Sequence, residues 1–105
     1  MAGMSDRNGD AYGVASIVVD LGSVAANTTE EETVTVPGLT TDMYVMVNKP
    51  SLDAGIGIAG ARVSAKDTLI LTVVNSTGSG VDAGSETYKL FWFKPNQTDV
   101  GAVKV

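Results

Sequence analysis

Several short stretches of this 105-residue chain place chemically useful residues at recognisable spacings. Gly55, Gly57 and Gly60 spell G-x-G-x-x-G, by which a strand-to-helix turn brings backbone N–H groups against a pyrophosphate. That chemistry needs a helix directly after the glycines, whereas Ala61-Arg62-Val63-Ser64 leads into a strand pattern, so the segment reads as a glycine-rich loop with Ile56 and Ile58 tucked against a core. Asp6, Asn8 and Asp10 offer oxygen donors at alternate positions, as the opening of a calcium-binding EF-hand loop does. The glycine that such a loop requires would fall at Ala11 and its bidentate glutamate at Ile17, which leaves a polar arm. Glu30, Glu31 and Glu32 could suggest a metal or acid–base cluster, but consecutive carboxylates alternate between the faces of a strand or crowd a solvated loop, and a surface charge run is expected.

Asn27-Thr28-Thr29, Asn75-Ser76-Thr77 and Asn96-Gln97-Thr98 fit the glycosylation acceptor pattern, and equally the side-chain to backbone hydrogen bonds of turns. A glycosidase would need two acids across a cleft, and Asp53, Asp67, Asp82 and Glu86 are scattered among turn signals. The chain has neither cysteine nor histidine, which removes disulfides, thiolate and imidazole metal sites, cysteine nucleophiles and every triad with an imidazole base. No catalytic residue, metal or cofactor is expected, and the chain does not read as an enzyme.

The elements that would position any site are strands. From Ala15 onward, short β-branched stretches are separated by Gly, Asn, Asp, Ser or Pro, and no helical period competes with them. Ser16–Leu21 is one strand. Thr33–Val36 alternates, with Val34 and Val36 toward a core, and Met43–Asn48 sets Val45 and Val47 against Tyr44 and Met46. Arg62–Ala65 and Thr68–Asn75 flank a tight turn at Lys66 and Asp67, with Leu69, Leu71 and Val73 on one face and Ile70 and Val74 on the other. Thr87–Lys94 points Tyr88, Leu90 and Trp92 one way and Lys89, Phe91 and Phe93 the other. The spacing predicts an all-β protein, an antiparallel β-sandwich of six to eight strands with jelly-roll or immunoglobulin-like topology. Residues 1–14 read as a flexible arm, 15–95 as the sandwich, and 96–105 as a tail or edge strand.

A net charge of −5 argues against a nucleic-acid partner, which needs cations to neutralise phosphates. No run approaches the roughly 20 apolar residues of a membrane helix, and Met1–Gly13 lacks the apolar core of a secretory signal. No membrane partner is expected. The anomaly is a second apolar face on strands carrying Tyr44 and Met46, Ile70 and Val74, and Phe91 and Phe93, because a sandwich of this size has one inner layer. These side chains either lie beneath the arm and tail, are rotated inward by strand bulges, or form an interface with another chain; the interface is the preferred reading, with Tyr44, Met46, Phe91 and Phe93 as its candidate residues.

Ala25-Ala26-Asn27-Thr28-Thr29, Val34-Thr35-Val36-Pro37-Gly38-Leu39, Asn48-Lys49-Pro50-Ser51-Leu52, Gly60–Thr68, Asn75-Ser76-Thr77-Gly78 and Glu86-Thr87-Tyr88 follow one another in an order that resembles small virion proteins of tailed bacteriophages. The likeness spans roughly Ser16–Phe93. It implies a structural β-sandwich protein made in the host cytoplasm, a capsid decoration or cement protein on the outer head. The implied partners are itself, as a homotrimer, and the major capsid protein. The competing expectation is a receptor- or carbohydrate-binding module of a tail or head fibre, with Tyr44, Tyr88 or Trp92 stacked on sugar rings.

Overall fold

The computed structural model describes residues 10–51 and 54–96. It is an antiparallel sandwich without helix among those residues, of eight strands: β1 (Ala11–Asp20), β2 (Ser23–Val24), β3 (Thr28–Thr35), β4 (Tyr44–Asn48), β5 (Ile56–Ala65), β6 (Thr68–Asn75), β7 (Val81–Asp82) and β8 (Ser85–Lys94). One sheet has the order β1-β8-β4 and the other β3-β6-β5, with β2 and β7 forming a two-stranded ribbon. Strands pair first with last: β1 with β8, β2 with β7, β3 with β6. Beyond these nested pairs, β4 adds to the other side of β8 and β5 forms a hairpin with β6, so nested and sequential pairing coexist in the two sheets.

The β1–β8 ladder gives way to the β2–β7 ladder at two matched sites. Asp20-Leu21-Gly22 separates β1 from β2, and Asp82-Ala83-Gly84 separates β7 from β8. In each, the aspartate carboxylate accepts a hydrogen bond from the glycine N–H, at 2.9 Å in both cases. Gly22 and Gly84 have φ of 66° and 71°, the left-handed region that side chains disfavour. Two Asx-type turns, facing each other across one ladder, thus bend both strands of the ribbon together.

The core lies between the sheets. Val19, Tyr88 and Leu90 from the first meet Ile56, Leu69, Leu71 and Val73 from the second, all buried. Trp92 also faces inward and lies across Gly13, its partner in the ladder; a Cβ there would come within 2.6 Å of the indole. β1 therefore begins at Ala11, and Ala11–Val14, which the sequence pattern assigns to an arm, belong to the sheet, because Tyr12 and Val14 pair with Phe93 and Phe91. Asp10 holds the first turn of backbone after β8, accepting from Asn96 N–H at 2.7 Å. The remainder of the expected arm, with Asp6 and Asn8, and of the tail beyond Asn96 lies outside the described residues.

The Lys66–Asp67 turn is present, with Asp67 at φ 61°. It also anchors the β3–β4 connection: its carbonyl accepts from Val36 N–H, its N–H donates to Leu39, and its carboxylate accepts from Gly38 N–H. Asn75 does comparable work at the other end of β6. Its buried amide donates to the carbonyls of Val24 and Ser79 and accepts from the N–H and hydroxyl of Thr77, all within 2.9 Å. The acceptor pattern at Asn75 is thus a structural knot, closed to a glycan.

Asn75→Ala would leave four polar groups short of a partner, two of them the carbonyls of Val24 and Ser79. Equilibrium urea unfolding should show a loss of about 2–4 kcal/mol, against less than about 0.5 kcal/mol for the exposed Ser76→Ala.

Candidate functional site

Among the described residues, no group of three or more carboxylates, histidines or cysteines is placed to hold a metal. Gly57 and Gly60 lie within β5, beside a ladder irregularity between Ile58 and Gly60, and strand continues after them. Ile56 and Ile58 do pack on the core, but from a strand rather than a loop. The glutamate run sits in β3. Glu31 points outward and pairs with Arg62 at 2.8 Å, and that guanidinium, through hydrogen bond and charge, holds the carboxyl below its ordinary range. Glu30 and Glu32 lie opposite buried Val73 and Leu71, so they point along the core side of an edge strand, where Glu30 accepts from Ala25 N–H. Of the scattered acids, Asp67 and Asp82 serve turns, and Asp53 lies outside the described residues.

One polar cluster has the ingredients of chemistry. Lys49 Nζ lies 2.8 Å from Glu86 Oε1 and 3.4 Å from Ser51 Oγ, and Ser51 also hydrogen-bonds Glu86. A serine–lysine dyad needs an uncharged amine as base, whereas this ammonium is committed to a carboxylate and to the Ser51 carbonyl. The Lys49 and Glu86 side chains are only 8% and 16% exposed, on the core side of the first sheet at the end remote from Trp92. The cluster reads as an ion pair that ties the end of β4 to β8.

A cavity of about 240 Å³ opens beneath Trp92, between the first sheet and the β3–β4 connection, lined by apolar groups including Ala15, Leu39, Met43 and Leu90. A shallower groove of about 230 Å³ runs between β4 and β5, lined by Val45, Met46, Val47, Ile58, Gly60 and Ala61. Apart from the Trp92 indole in the first, neither is lined by a polar side chain that could orient a reacting substrate.

The site with the strongest physical signature is the outer face of the β1-β8-β4 sheet. Register places Tyr12, Phe93 and Tyr44 in one cross-strand row and Val14, Phe91 and Met46 in the next. Exposure is 50% for Tyr12, 82% for Val14, 61% for Tyr44, 69% for Met46 and 39% for Phe91. The rings engage one another: Tyr44 meets Phe93 edge to face and Tyr12 tilts over Phe91, both with centroids 6.3 Å apart. A third row, Ser16, Lys89 and Asn48, is polar. All four residues singled out in the sequence, Tyr44, Met46, Phe91 and Phe93, are brought together here. Tyr12 and Val14, which the sequence reading places within the arm, join them; their signal is the alternation Tyr12, Val14, Ser16, Val18 running straight into the strand.

The second sheet differs. Ile70 and Val74 lie on its outer face, but Ile70 is buried between Thr33 and Arg62 in the ladder, and the rest of that face is largely threonine with the Glu31–Arg62 pair. The apolar second face therefore belongs to one sheet. Of the rings considered for sugar stacking, Tyr88 is fully buried and Trp92 faces inward, which leaves Tyr44 as the exposed one.

Compared with protein-family models, curated proteins and solved structures, the chain matches none.

If the Lys49–Glu86 contact is a structural staple, Lys49→Met leaves a mostly buried carboxylate unpaired and should cost about 2–4 kcal/mol in urea unfolding. Lys49→Met combined with Glu86→Gln should recover at least about half of that loss, since the uncompensated charge is then gone.

Proposed function

We propose that this protein is structural: a virion component of a tailed bacteriophage that decorates the outer capsid and cements neighbouring shell subunits. Its partners in this reading are further copies of itself and the major capsid protein, and it acts by contact rather than by chemistry. The observation that carries the reading is the outer face of the β1-β8-β4 sheet, where five of the six side chains in two complete apolar rows are exposed, without a charged group among them. Surface of this kind is costly to leave open and is characteristic of association. The resemblance of the strand and turn order to small phage virion proteins supplies the setting.

A cement protein works by linkage. Internal pressure from packaged DNA separates shell subunits at their junctions, and a molecule bound across a junction adds contacts that must be lost before the junction opens. A rigid sandwich suits this role, because its binding surface is already ordered and little conformational entropy is lost on docking. The acidic balance fits a position outside the shell, away from the genome, since a net charge of −5 offers packaged phosphates no attraction.

The fibre-module alternative keeps less support, because two of the three rings considered for stacking on sugars are turned into the sandwich. Quantitative mass spectrometry of purified particles separates the two. A cement protein should be present in amounts comparable to the major capsid protein, and particles lacking it should release DNA at lower temperature. A few copies per particle, or unchanged thermal DNA release in its absence, would overturn the proposal.

A further inference from the structure

We infer that the apolar outer face of the β1-β8-β4 sheet packs against the same face of a second copy, about a two-fold axis that runs across the strands. The inference names the partner that sits on the working surface of the proposed function, and it rests on that reading only in treating this face as the surface used.

The size of the face is the first argument. With aromatic side chains of roughly 200 Å² each, the exposed fractions of Tyr12, Val14, Tyr44, Met46 and Phe91 leave on the order of 600 Å² of contiguous apolar surface. A stable interface buries about 800 Å² per partner, so these rows and their polar rim make one side of such an interface. Two flat sheets can stack about 10 Å apart with their strands within about 30° of each other, which brings both rows into contact at once.

The second argument is the order of groups along the face. Asp10 and Asp42 stand just before β1 and β4, at the end where Tyr12 and Tyr44 lie, with Lys94 as the cation beside Asp42. Next come the row Tyr12-Phe93-Tyr44, the row Val14-Phe91-Met46, and then Lys89 between Ser16 and Asn48. Along the strands these rows read acidic, apolar, apolar, basic, with the exposed Val18 one row beyond Lys89. A two-fold axis parallel to the strands would stack Lys89 on Lys89 and acid on acid. An axis across the strands, midway between the apolar rows, does the opposite. It sets the bulkier Tyr12-Phe93-Tyr44 row of each copy on the smaller Val14-Phe91-Met46 row of the other, and carries each Lys89 toward the other copy's Asp10 and Asp42. The face is self-complementary in both size and charge, and the contact closes at two copies.

The test is the mass of the purified chain in solution. Sedimentation equilibrium or light scattering at micromolar concentration should give a dimer. Met46→Asp, at a site exposed in the single chain, should weaken the dimer by about 100-fold or more, whereas Thr33→Asp on the outer face of the other sheet should leave it intact. Lys89→Glu should weaken it by about tenfold at low salt, and Asp42→Lys in the same chain should restore it. Circular dichroism melts keep loss of folding apart from loss of pairing. A wild-type monomer at 100-fold higher concentration, a trimer, or a charge swap that fails to restore pairing would overturn the inference. A dimer that is scarce in particles would instead remove the proposed function, and a monomer abundant in particles would remove only the two-fold pairing.

Discussion

A pleated sheet has two faces, and a two-layer sandwich can bury only one face of each sheet. In this protein the constraint is met differently by the two layers. The β3-β6-β5 sheet spends its outward positions on threonine and on the Glu31–Arg62 pair, as a solvated face should. The β1-β8-β4 sheet is apolar on both sides, with Ala15, Ile17, Val19, Tyr88 and Leu90 inward and Tyr12, Val14, Tyr44, Met46, Phe91 and Phe93 outward. Among the described residues register fixes the second set outward: a slip of one residue would expose Tyr88 and Leu90 instead.

That register is held by a few polar contacts placed where the ladder would otherwise slide. The paired Asp20–Gly22 and Asp82–Gly84 turns bend both strands of the ribbon at one level, so β1 and β8 on one side of the corner stay in step with β2 and β7 on the other. Asn75 joins the end of β6 to Val24 in β2, and Asp67 joins the opposite end of β6 to the β3–β4 connection. The glycine at position 13 lets Trp92 lie flat on the inner side of β1, which sets the phase of the β1–β8 pair one row away from Tyr12 and Phe93. Function in the proposed sense thus depends on groups that never reach the exposed face.

Much of this was legible from residue order. Period-two alternation separated Tyr88, Leu90 and Trp92 from Phe91 and Phe93, and Val45 and Val47 from Tyr44 and Met46, because an edge or central strand with a buried side has no other way to satisfy its inner layer. Less legible was anything that depended on a distant partner. Gly55–Gly60 reads as a loop because its glycines weaken strand propensity, yet pairing with β6, Ile58 against buried Val73, makes Ile56 onward strand. Tyr12 and Val14 looked like part of an arm because the residues before them are polar, and only the ladder to β8 reveals the strand's true start. Ile70 and Val74 looked equivalent to Phe91 and Phe93, since a single strand does not say which side chains its neighbours will supply as cover. At Asn75 the local turn bond from Thr77 N–H is the one that Asn beside Ser and Thr suggests, whereas the bond to Val24, 51 residues away, has no local signature.

How the sheet edges are protected limits the kind of association this fold can support. An open edge invites strand addition without end, whereas a face can be closed by a single partner. Glu30 and Glu32 on the core side of β3 make a strand laid against that edge desolvate two carboxylates. β5 is broken by irregularities at Ile58/Gly60 and Val63/Ala65, which disturb the even row of N–H and C=O groups that an incoming strand would need. β4 is only five residues long. β1 is the remaining edge, ten residues long and without such a device, and its outward Tyr12, Val14 and Val18 are among the most exposed apolar groups described. Whatever packs on the outer face of this sheet therefore also crowds the β1 edge, so the same contact that covers the apolar rows restrains growth along it.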